Sequence, residues 1–140
     1  MTLFPVRRYL KTSLVVCALL LLSACAAPGN KQSTIEERAN ARWEALLTGD
    51  LAAAYEYLSP GYRSSVSSVQ YQRMVLLQQI KYTSAKYVKS ECEEATCNVT
   101  VLVGFTVYGA VPGVKSFDGS RNIEESWILV DGNWYMVPEK

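Results

Sequence analysis

The chain has 140 residues, 49% of them hydrophobic and 19% charged, with 14 basic side chains against 13 acidic ones. That near-balance carries no basic footprint for nucleic acid. The absence of histidine excludes Ser-His-Asp and Cys-His catalytic sets and histidine metal sites. Any chemistry falls to Asp, Glu, Tyr, Lys or Cys, and no metal or other cofactor is expected.

The N-terminus opens with Arg7, Arg8 and Lys11 and no acid before Cys25, followed by nine apolar residues, Leu14–Leu22. A bilayer-spanning helix needs roughly 20 such residues, and Pro28-Gly29-Asn30 blocks any extension, so the run fits a signal-peptide core. It closes on Leu22-Ser23-Ala24-Cys25, which resembles the lipobox of bacterial lipoproteins. The resemblance implies that residues 1–24 are a cleaved signal peptide and that Cys25 is the lipid attachment site. Residues 25–33 then form the lipidated cysteine and a small, polar, Pro/Gly-containing tether. Membrane contact through the N-terminal lipid follows, and Ala26 resembles the outer-membrane sorting pattern of two-membrane bacteria. The expected location is the outer membrane, facing the periplasm. Without the leader the basic residues fall to 11 against the same 13 acids, a net charge of −2, so the lipid rather than a polybasic patch makes the anchor.

Of four cysteines, Cys17 lies in the leader and Cys25 is assigned to lipid, leaving Cys92 and Cys97. A redox or metal pair is the alternative, but the spacing is not C-x-x-C and no other thiol or imidazole is available. Outside the cytoplasm the pair reads as a structural disulfide clamping a Glu-rich hairpin turn.

Three helices are expected. Ser33 with Glu36 and Thr34 with Glu37 give a double capping signal, and Ile35, Ala39, Trp43, Leu46 and Leu47 share one face, with Arg38, Arg42 and Glu44 off it. Gly49 suits a C-terminal cap, and Asp50 caps a second helix carrying Leu51, Ala54, Tyr55 and Leu58, which Ser59-Pro60-Gly61 stops. A third starts near Ser67 or Ser68 and carries Tyr71, Met74, Val75 and Leu77.

The pattern then changes to strands. Ile80 to Glu91 alternates loosely, with Tyr82, Ser84, Lys86 and Val88 on one side. Val99, Val101, Val103, Phe105 and Val107 alternate strictly with polar or small partners and Leu102, the mark of a half-buried strand. Val111-Pro112-Gly113 is a turn, and Arg121–Val130 with Asn133–Val137 forms a hairpin around Asp131-Gly132. Helices followed by about four antiparallel strands define an α+β domain over residues 34–140.

The Ala41–Pro60 helical pair and the Glu125–Tyr135 hairpin resemble the opening and closing segments of the NTF2-like superfamily, which includes ketosteroid isomerase and polyketide cyclases alongside non-catalytic modules. The resemblance implies helices laid over a curved antiparallel sheet as a cone with a cavity, and Trp43, Tyr55, Tyr62, Phe105 and Trp127 are the candidate lining. A catalytic version would need an inward carboxylate and a Tyr donor. Glu124 and Glu125 are the candidate acid/base residues; as neighbours in one strand they face opposite ways and cannot act as a pair, so one of them would face inward. With no cavity histidine to supply a cyclase-like dyad, the expectation is a non-enzymatic module binding a small apolar ligand or an envelope protein. Thr100, Thr106 and Tyr108 on the outer sheet face suggest a homodimer surface.

Overall fold

The computed structural model describes residues 33–139. The expected leader, Cys25 and the tether as far as Gln32 lie outside the described residues. No helix among the described residues is long and apolar enough to cross a membrane.

Four helices precede the sheet, not three: α1 (Ile35–Thr48), α2 (Leu51–Glu56), α3 (Pro60–Ser65) and α4 (Ser68–Leu76). Thr34 and Glu37 form a reciprocal capping box at the start of α1, and Gly49 ends it at φ 79°, a left-handed cap that suits glycine. The extra helix is α3. Ser59-Pro60-Gly61 stops α2 as expected, but Ser59 also accepts from the Tyr62 N–H and Pro60 occupies the first helical turn, where its missing N–H is harmless.

The sheet is an antiparallel meander, β1 (Ile80–Glu93), β2 (Thr96–Val111), β3 (Val114–Val130) and β4 (Asn133–Val137), in the order β1-β2-β3-β4. Three features differ from the sequence expectation. The strand expected from Arg121 begins at Val114, because residues from Val114 onward pair with the far half of β2. Register shifts fall between Tyr82 and Ser84 and between Tyr87 and Lys89. Each such bulge resets the two-residue alternation, so Tyr82, Ala85 and Tyr87 pack on the core while Ser84, Lys86 and Val88 are exposed. The turn between β1 and β2 is tighter than the cystine ring: only Glu94 and Ala95 lie between the strands, with Glu94 at φ 43°. Cys92 and Cys97 are directly paired across the ladder and joined by a disulfide. Asp131 and Gly132, both at positive φ, make the β3–β4 turn.

Val99, Val101, Val103 and Trp127, all at most 1% exposed, form the main core with Ala39 and Trp43 of α1. A second cluster joins Ala54, Tyr55, Leu58 and Tyr71. The two are tied where Met136 N–H donates to Tyr57 O at 2.8 Å and Ser59 N–H to Met136 O at 2.7 Å, fastening the α2–α3 corner to β4. On the outer face Thr100 is buried at 8% and Thr106 donates to Asp118 Oδ1 at 2.5 Å, which leaves Tyr108 as the exposed member of the expected dimer surface.

Candidate functional site

A cavity of about 410 Å³ lies between α1, α4, the inward side chains of the sheet and the segment after β4. Its apolar wall includes Trp43, Leu46, Val75, Ile123 and Met136, and Tyr62, Tyr71 and Tyr82 add phenolic edges. Trp43 meets Tyr82 edge to face, ring centroids 5.2 Å apart at 84°, an arrangement favoured by the ring quadrupoles.

Gln78, Arg121, Glu124, Ser126 and Glu139 add polar groups to the lining, and its buried polar element is an ion pair. Arg42 Nη1 donates to Glu125 Oε1 at 2.5 Å, and the side chains are only 7% and 4% exposed. Glu125 Oε2 accepts from Trp127 Nε1 at 3.2 Å, so both carboxylate oxygens are engaged. Two neighbouring charges out of water carry a desolvation penalty of several kcal/mol each, which the short contact and the indole bond offset in part. Arg42 Nε and Trp43 Nε1 are buried without a hydrogen-bond partner among the described residues. Burial raises the Tyr71 phenol above its ordinary pKa, with the Arg42 charge pulling partly the other way. Burial, then Tyr55, raises Tyr62 likewise. Both are therefore neutral hydroxyl groups at physiological pH.

Of the five aromatics suggested by the sequence, Trp43 and Tyr62 line this cavity. The other three stand elsewhere. Trp127 is at 0% exposure in the main core. Tyr55 donates to Val66 O at 2.8 Å and stacks obliquely on Tyr71, pinning α2 to the chain after α3. Phe105 lies across Gly119 of β3, where any Cβ would come within 3.1 Å of its ring. Glu124 and Glu125 diverge as strand neighbours must: Glu124 is exposed at the cavity rim and Glu125 is buried.

Arg42 corrects the helix reading, which put it off the apolar face. Together with Tyr71 it was missed as a site residue. The signal was present: Arg42 follows Ala39 by three residues and so borders the buried stripe, while Glu125 sits between Ile123 and Trp127 in the inward alternation. Opposite charges on two inward faces are a pairing signal.

No protein-family model matches the chain, and no curated protein matches it. Solved structures do. A SEC-C motif containing protein from Rhodopseudomonas palustris superposes with TM-score 0.58 at 14% identity, over 76% of this chain and 77% of the other. An NTF2-like protein from Campylobacter jejuni gives 0.53 at 13% identity, over 76% of this chain and 100% of its own. A protein of the NTF2-like family from Streptomyces avermitilis, described as a candidate dehydratase, gives 0.50 at 12% identity over 74% and 92%. At such identities the likeness is one of fold, and the fold of this domain is NTF2-like.

Proposed function

We propose that this chain is a lipid-anchored bacterial envelope protein whose NTF2-like domain binds a small, mainly apolar ligand without catalysing a reaction on it. The carrying observation is the cavity of about 410 Å³, within the size range of ligand pockets, whose buried carboxylate is already committed. A general base must reach its proton, whereas Glu125 is 4% exposed and fixed in place by Arg42 on one oxygen and Trp127 on the other. Nearby neutral phenols suit recognition of a polar atom on an otherwise apolar molecule. The lipobox Leu22-Ser23-Ala24-Cys25 supports the anchor, and the mature charge balance supports a lipid rather than an electrostatic hold.

Native mass spectrometry of the full chain, purified in mild detergent from its host, tests the reading. The expected result is acyl mass on Cys25 plus a non-covalent adduct on the folded chain. Val75→Trp, which fills the cavity, should remove the adduct while leaving the melting temperature within a few degrees. A chain that carries no adduct and copurifies with another protein would replace the ligand with an envelope partner. Cys25→Ser should leave the leader uncut or free the protein from the membrane; normal maturation and membrane partition would overturn the anchor.

A further inference from the structure

The two edges of the sheet are built differently. On β1 the edge is interrupted by two bulges and carries exposed Lys81, Lys86 and Lys89, both devices that discourage strand addition. The edge of β3 is more regular, and its exposed charges, Lys115, Asp118, Arg121 and Glu124, are of both signs. Its ladder to β2 runs without a register shift from Ile128 to Ser116, while β4 pairs only with Ser126–Val130. Pro138, directly after β4, has no N–H to extend the pairing. Residues 114–125 therefore form an edge of about 40 Å, regular from Ser116 onward, with no partner on that side among the described residues. Its residues 114–118 and 120–122 are all exposed, including Phe117 at 44%. The cavity reaches this edge: Arg121, Ile123 and Glu124 belong to its lining.

We propose that the occupant of this edge is a second copy of the chain, joined antiparallel about a two-fold axis near Gly119 to make one eight-stranded sheet. Such an axis stands perpendicular to the sheet and keeps both helix layers on the same side. Directly opposed residues must then share a face, which requires position numbers of equal parity. About Gly119 this register sets exposed Phe117 opposite the other copy's Arg121 on the cavity side, a cation–aromatic pair made twice. Lys115 meets Ile123, Asp118 meets Ser120, and Ser116 meets Asn122. Glu124 meets Val114. No like charges are opposed, and the two glycines, each covered by its own Phe105, let the backbones meet. The second copy also completes the site, since its Phe117 closes the cavity beside Arg121. This surface is the strand edge, distinct from the outer face around Tyr108.

Cysteine cross-linking of the full chain in the envelope tests the proposal. Positions 116 and 122 are too far apart along one strand to join within a chain, but between copies they face each other within disulfide range. The double variant Ser116→Cys/Asn122→Cys should run as a covalent dimer on non-reducing gels, and each single variant as a monomer. Phe117→Ser should weaken dimerisation about tenfold, because the axis repeats each lost contact, with an unchanged melting curve at concentrations low enough for both proteins to be monomeric. Absence of the double-variant cross-link overturns the register. A wild-type chain that stays monomeric by native mass overturns the dimer. Efficient cross-linking through Leu102→Cys instead would move the contact to the outer sheet face and overturn the edge.

Discussion

The two ends of the sheet use the same alternating apolar residues and come to opposite ends. Near the disulfide, Val99, Val101 and Trp127 on the helix-covered face are sealed, none above 1% exposed. On the same face at the other end, Ile80 and Phe117 are 41% and 44% exposed. The reason is length. The 14 residues of α1 reach about 21 Å, whereas the 16 residues of β2 extend over about 54 Å. One helix layer cannot roof such a strand, and the cavity lies where the roof gives out. Hydrophobic patterning says which face turns inward; the reach of the covering element decides whether that face is buried.

Stability measurements along the sheet would sharpen or break this contrast. The largest loss is expected for Trp127→Ala at the closed end, about 5 kcal/mol in denaturant unfolding, because core packing and the hydrogen bond to Glu125 go together. At the boundary, Glu125→Leu leaves the Arg42 charge buried alone and should cost about 4 kcal/mol. The double variant Arg42→Met/Glu125→Leu should recover most of that, and a double variant as unstable as the single would deny that the pair is a unit. Cys92→Ala should lose about 2 kcal/mol without preventing folding; an identical melting curve, with free thiols in the parent protein, would rule the disulfide out.

Smaller effects belong to the open end. Tyr71 and Tyr62 have pKa values raised above the ordinary value of 10.0 by burial, so their neutral forms are favoured by folding. That stability is complete below pH ~10 and is lost as the pH rises through the folded-state values. The unfolding midpoint should fall on alkaline titration, and Tyr71→Phe should flatten the fall. Least of all, Phe117→Ser should change the stability of the single folded chain by under about 0.5 kcal/mol. A loss there as large as that of Trp127→Ala would mean that the two ends do not differ.

Much of the local architecture was legible in the residues. The capping box at Thr34 and Glu37, the glycine cap at position 49, the Val99–Val107 alternation and the Asp131-Gly132 turn each depend on interactions within a few residues. The errors have a different origin. The β1 bulges arise from fitting that strand against β2, and no alternation within β1 shows where a residue is skipped. The start of β3 at Val114 depends on β2 continuing past Val107 to receive it. Cavity assignment was hardest: Trp43 and Tyr62 face the space, but Trp127, Tyr55 and Phe105 are used in the core, an α2–α3 anchor and the cover of Gly119.

What the sequence by itself determined is therefore periodic and local: which stretches become helices or strands, which faces turn inward, where chains cap and turn, and the disulfide partners. Only the tertiary structure decided that Arg42 and Glu125 would meet across 83 positions, that one strand edge would be guarded and the other open, and where a void would persist. Those outcomes depend on how far each element reaches over its neighbour and on which charges lose their water together, and neither quantity exists until the elements are packed.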